Sequence, residues 1–377
     1  MVDIQGHCAP GFEPVKETFH NNFTERGDVG AAFSAFQNGE CVVDIWAGHR
    51  DAAKTTPWGQ NTLPNVWSTT KGPTAICCAR LVDQGKMSYS DTVATYWPEF
   101  AAHGKDHITI AQLLSHQSGL SGLREPTTAE DFYDHDLLVG RLADQEPLWA
   151  PGAFSGYHAI TFGHLAGELV KRVTGKSLGA YFRDDIGEPF GIDFFIGLPE
   201  SEEHRIADMI PSDGPPQSFD NIADTEIKKL TFTNPPLDPM SPNERAWRVA
   251  EIPGAGGRGS AYSLAKLYGI LAAGGSQDGK QLLSADGIKA MTAPQIENED
   301  AVLGVSVRWA AGMALNAEWG EYGPNLTAFG HSGWGGSFGA ADPENRIGFS
   351  YVMNKMGGSL VGDPRALALS RSLFDCL

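Results

Sequence analysis

The chain has no run of about 18 consecutive apolar residues, so it offers no candidate for a membrane-spanning helix. Positive charge is scarce: 28 Lys and Arg stand against 46 Asp and Glu, a formal net charge of -18. That deficit argues against nucleic acid and anionic membrane as partners, since both need basic density. The opening stretch MVDIQGHCAPGFEPVKETF has no basic segment followed by an apolar one. No secretory signal is therefore expected, and a cytoplasmic setting follows. Cysteine is sparse and unpatterned: Cys8, Cys41, Cys77, Cys78 and Cys376 are odd in number and form no CxxC pair. Reduced thiols are the simplest reading. Low-complexity tracts and internal repeats are absent as well.

What is present reads as a folded α/β protein, with 377 residues of which 41% are hydrophobic. Phe12, Val15, Phe19 and Phe23 recur at helical spacing, predicting a helix over 10–26. Two β-rich runs flank Asn38-Gly39, a strong hairpin signal. Helical patterns cover 72–86, 108–116, 130–144 and 158–174. The last third reads as strands in 304–315, 326–343 and 346–355, closed by a helix over 363–377. Strands at both ends predict a sheet domain built from 1–65 and 255–377, with a mostly helical domain, 66–254, inserted between. Within the insertion, 199–254 is rich in proline and polar residues yet carries Phe, Leu, Met and Trp. A loop that long suggests a lid or pocket wall.

Three motifs bear on chemistry. G-x-S-x-G occurs at Gly335–Gly339, but a nucleophile elbow requires a later histidine. The last of the eleven histidines is His331, upstream of Ser337, so glycines in a strand and its turn account better for the match. His103 and His107 stand four apart, with Gly104 where a metalloprotease helix has Glu. Asp131, Asp134, His135 and Asp136 read as a solvated helix face, and neither metal nor cofactor is expected.

The third motif, S-x-x-K, occurs at Ser68–Lys71 and again at Ser263–Lys266. Three residues apart on a helix, serine and lysine share one face, as proton transfer between them requires. The bland account is a capping serine with a solvated lysine. Ser263 and Lys266 lie in what reads as an ordinary packed surface helix. Lys71 opens a run, Ala75 to Val82, with almost no polar face, so burial would lower its pKa towards that of a useful base. A helix N-terminus at Ser68 would favour negative charge there.

Several ordered segments resemble the serine β-lactamases and penicillin-binding proteins: VWSTTKG, ITIAQLLSHQSGL, PGAFSGYHAITFGHLAGELVKRVTGKSL and FGHSGWGGSFGAADPENRIGFSYVMNK. The resemblance implies an antiparallel sheet flanked by the N- and C-terminal helices, with the helical domain inserted. It aligns Tyr157 with the catalytic tyrosine and His331-Ser332-Gly333 with the K-T-G triplet. Ala159 stands where class C β-lactamases carry asparagine, and His331 replaces a permanent cation. His331-Ser332-Gly333 followed by Trp334-Gly335-Gly336 resembles the family VIII carboxylesterases. The resemblance thus implies a serine esterase of small to medium acyl esters, with Ser68, Lys71 and Tyr157 catalytic. The backbone N–H groups of Ser68 and Trp334 would form the oxyanion hole, and His331, Gly333, Trp334 and Gly335 would contact substrate. A β-lactamase or D-amino-acid peptidase, a transacylase and a non-catalytic binding protein are the rival readings. His116 reads as a buried histidine bonded to backbone; His158 and His164 read as structural or exposed positions on a helix. A homo-oligomer is compatible with all of this.

Overall fold

The computed structural model describes residues 2–213, 224–317 and 320–377. At the Asn38-Gly39 turn both residues hold positive φ (53° and 87°). That geometry matches the twist of the strands it joins, β2 (Gly30–Gln37) and β3 (Glu40–Gly48). Edge strand β1 (Gln5–Cys8) pairs with β3, and β4 (Ile296–Glu299) with β5 (Ser306–Trp309). The remaining strands are β6 (Ala314–Leu315), β7 (Phe329–Ser332), β8 (Phe338–Asp342) and β9 (Ile347–Met353). They form one nine-stranded antiparallel sheet in the order β1-β3-β2-β9-β8-β7-β6-β5-β4. At its centre β2 pairs with β9 from Gln37–Ile347 to Ala31–Met353.

The alternation of strand side chains assigns the two faces. Ala31, Phe33 and Ala35 point into a core shared with α1 (Glu13–Glu25) and the C-terminal helix, Pro364–Phe374. On the other face lies the larger core, which contains α2 (Lys71–Asp83), α3 (Thr161–Thr174) and α4 (Ala261–Ala272); the C-terminal helix is α5. Gly348 lets α4 lie close on the sheet, since a Cβ there would sit 2.0 Å from the Gly269 nitrogen. The expected sheet with its terminal helices is therefore what forms.

Some expectations need correction. The 130–144 pattern is two helices, Ala129–Phe132 and His135–Asp144, because Asp134 caps the second by accepting from Leu137 N–H. Helix α4 is no surface helix: ten of its twelve residues are buried between sheet and helical region. Parts of 199–254 form elements, including Glu226–Thr233 and Arg245–Val249, while 214–223 fall outside the described residues. Among the described residues no helix is long and apolar enough to cross a membrane.

Candidate active site

Ser68 sits in a single 3-10 turn, Trp67–Thr70, that runs directly into α2 at Lys71. Trp67 holds φ 47°, a conformation bulky residues avoid. Its neighbours hold it there. Val66 N–H donates to Gly257 O at 2.9 Å, and Ser337 Oγ donates to Val66 O at 2.8 Å. Thr70 Oγ1 donates to Trp67 O and accepts from Gly257 N–H. The Trp67 ring packs between Trp247 and Trp334, at centroid distances of 5.4 and 4.9 Å. Ser337, the serine of G-x-S-x-G, is thus a buried tie for the strained turn, within a β7–β8 turn where Gly335 and Gly336 hold positive φ.

Lys71 is fully buried. Its Nζ lies 3.1 Å from Ser68 Oγ, 2.6 Å from Ala159 O and 2.7 Å from Gly254 O. Burial alone, with no counter-charge acting among the described residues, holds the amine well below the ordinary lysine range. Tyr157 is buried, its ring centroid 4.8 Å from Lys71 Nζ, and the Ser68 side chain faces its hydroxyl. Desolvation pushes that phenol up, so it stays protonated. Serine, amine and phenol therefore meet at one point.

Asp300, which no motif signalled, holds the tyrosine in place. Buried in the β4–β5 connection, it accepts from the backbone N–H groups of Tyr157 (2.9 Å), Val302 (2.9 Å) and Leu303 (3.0 Å). Its second oxygen takes Ser155 Oγ–H at 2.8 Å and Trp309 Nε1–H at 3.3 Å. Trp309 in turn stacks on Tyr157 (5.8 Å, 13°) and His331 (6.0 Å, 24°).

Ser68, Tyr157, His331 and Trp334 line one pocket of about 930 Å3, its open mouth included, with largely apolar walls such as Leu303, Val307 and Leu315. Phe232 and Leu237, from the expected pocket-wall segment, line it too. Gly333 and Gly335 do not. A Cβ on Gly333 would strike Val66 O at 2.3 Å, and one on Gly335 would press on Met356 at 3.0 Å, so both shape the turn from behind.

His331 is buried, and desolvation with Lys71 nearby brings it down to about 3. His116 accepts from the His158 backbone N–H at 3.1 Å, as the backbone-bonded reading expected. His158 is structural, as one of the two readings had it, but does not lie on a helix. It precedes α3, is fully buried, and lies 2.7 Å from both Gly156 O and Ser118 Oγ. His164 is buried on α3.

The other candidate groups are engaged elsewhere. Ser263 Oγ accepts from Asp193 N–H at 3.0 Å, and Lys266 Nζ reaches Phe190 O at 2.8 Å. His103 and His107 each lie 3.8 Å from an aspartate, Asp144 and Asp106. His135, Asp136 and Glu168 cluster closely enough to hold a cation, yet Lys171 already pairs with Asp136 and Arg172 with Glu168. Asp131 pairs with Arg141.

A model of the beta-lactamase family matches residues 19–371. The chain belongs to the beta-lactamase family. Within it, the esterase/beta-lactamase LipL of Mycobacterium tuberculosis is 35% identical over 375 residues, covering 95% of this chain and 84% of LipL. A family VIII carboxylesterase crystal structure superposes with a TM-score of 0.94 at 46% identity, covering 100% of both chains. A penicillin-binding protein homologue from Caulobacter crescentus gives 0.94 at 42% identity, again over 100% of both. The resemblance to family VIII carboxylesterases drawn from the motifs is borne out.

Proposed function

We propose that the protein is a serine carboxylesterase hydrolysing small to medium acyl esters through an acyl-enzyme on Ser68. The observation that carries this reading is the surroundings of Lys71 Nζ. A neutral amine has two N–H donors and one lone pair. Ala159 O and Gly254 O take the donors, which leaves the lone pair facing the Ser68 hydroxyl.

Ser68 Oγ attacks the ester carbonyl while its proton passes to Lys71. The backbone N–H groups of Ser68 and Trp334 stabilise the resulting oxyanion, at about 3 kcal/mol per donor. Contact between the Trp67 and Trp334 rings supports the placement of these two loops side by side. As the tetrahedral intermediate collapses, the C–O bond breaks and the Tyr157 hydroxyl protonates the leaving alkoxide, regaining its proton from the Lys71 ammonium. Water then attacks the acyl-enzyme by the same groups in reverse and frees the acid. All five cysteines are free thiols, which supports a cytoplasmic setting.

β-Lactam hydrolysis is the second reading, because LipL is named an esterase/beta-lactamase. The neutral His331 counts against it, since no permanent cation stands there for a lactam carboxylate. Turnover of nitrophenyl acetate, butyrate and octanoate and of nitrocefin, by wild type and Ser68→Ala, tests both readings. The expected result is ester turnover well above nitrocefin turnover, lost in Ser68→Ala, with fluorophosphonate labelling at Ser68. Near-normal ester turnover by Ser68→Ala would sink the assignment.

A further inference from the structure

The pocket beside Ser68 has spent its hydroxyl donors on its own walls. Ser332 Oγ–H donates to Glu321 Oε1 at 2.7 Å. Tyr322 lies 3.1 Å from Ser332 Oγ. Since the Ser332 proton goes to Glu321, the Tyr322 hydroxyl donates to Ser332. Arg308 also lines the pocket, but Glu297 and the Asn316 carbonyl hold its guanidinium.

Two unpaired atoms are left over, by independent routes, and both are acceptors when Glu321 is ionised. Glu321 is buried, and its Oε2 has no hydrogen-bond partner among the described residues. The Gly362 backbone N–H faces this carboxyl without closing a bond to Oε2. His331 Nδ1 lies 2.8 Å from the Ser332 carbonyl oxygen, which can only accept. Nδ1 therefore carries the hydrogen, and the enclosed Nε2, also without a partner among the described residues, keeps a bare lone pair. Buried acceptors left unmatched are costly, and both residues line the pocket where a substrate would lie.

We propose that this pocket selects esters carrying a hydrogen-bond donor, a hydroxyl or an ammonium group, and rejects those carrying a carboxylate. Glu321 and His331 are the specificity-determining acceptors. Burial raises the Glu321 carboxyl to about 7. An ammonium group seated on it would replace the missing partner and favour its ionised form. A carboxylate in the same place would meet like charge wherever Glu321 is ionised, and would find Ser332 already committed, so its rejection strengthens as pH rises through about 7. The proposal rests on the esterase reading for its kinetics but not for its binding test.

The kinetic test uses nitrophenyl esters of hexanoic, 6-hydroxyhexanoic, 6-aminohexanoic and adipic acids, with hexyl and 6-hydroxyhexyl butyrate covering the alcohol side. Wild type is expected to prefer a donor-bearing ester over its plain counterpart in at least one series, and to turn over the adipate at least about tenfold more slowly. In Glu321→Gln, which keeps an oxygen for Ser332, that donor preference falls by roughly tenfold, the scale of one hydrogen bond to a charged group. An unchanged preference in Glu321→Gln would overturn the proposal. Should that variant not fold, wild type handling adipate as well as the amino and hydroxy esters would overturn it too. Calorimetric titration of Ser68→Ala with hexylamine and with hexanoate reads the pocket without turnover. Tighter binding of hexylamine supports the proposal, and equal or tighter binding of hexanoate refutes it whatever becomes of the esterase reading.

Discussion

At the scale of the residue, Lys71 decides the chemistry. Its three oxygen neighbours would satisfy an ammonium as well as an amine, so hydrogen-bond counting alone does not choose between them. Burial without a counter-charge does, by favouring the amine. Lys71→Arg tests this, because guanidinium keeps the donors but does not deprotonate. Its kcat for nitrophenyl butyrate is expected to fall by about 10^3, within the range for loss of a general base. A tenth of wild-type activity remaining would assign the proton to Tyr157. The pH profile carries the same sign: protonating Lys71 removes the base, so kcat/KM declines on the acid side. Its plateau extends well below the usual lysine pKa. Ser68, Lys71 and Tyr157 were legible in the sequence because each sits in a local motif. Asp300 and Glu321 were not. Asp300 lies 143 positions from the tyrosine whose N–H it accepts, and Glu321 lies 11 from Ser332 in a segment with no periodic pattern.

The same divide runs through the elements. Burial was the sequence argument for preferring Ser68 over Ser263, yet α2 and α4 are both buried. What separates them is where each lysine ends: Lys71 beside a serine hydroxyl, Lys266 on a loop carbonyl. Strands with alternating apolar residues were readable, whereas the edge strands QGHC and IENE were not, since their largely exposed residues leave no apolar period. Helices α2 and α4 also meet at a point no pattern announces. A Cβ on Gly72 would lie 1.9 Å from Tyr268 Oη and 3.1 Å from its Cζ. Gly72→Ala is expected to destabilise the fold by about 1–3 kcal/mol through overpacking, despite the gain in helix propensity. Tyr268→Phe, lacking the hydroxyl, should recover much of that loss in a urea-melt cycle; additive losses would refute the contact.

For the whole molecule, buried histidines tie stability to pH. Desolvation brings His164 down to about 3 in the folded chain, while an unfolded histidine titrates near 6.5. Between those values the unfolded chain binds a proton that the folded one does not. The contribution is complete above about 6.5 and is lost as pH falls towards 3. Between pH 7 and pH 5, wild type should lose about 2 kcal/mol more than His164→Phe, read from urea melts. Equal losses would mean the imidazole takes up its proton in the fold. The central pairing of β2 with β9 reaches further still, because it joins residues 31–37 to 347–353. A ribosome completes the first of these strands at residue 37 and reaches the second only at residue 347. Until then β2 has an open edge bearing Ala31, Phe33 and Ala35, a template for pairing with a neighbouring chain. Every residue between the two strands must be made before the sheet closes there, so the yield in a cell depends on what shields that edge in the meantime.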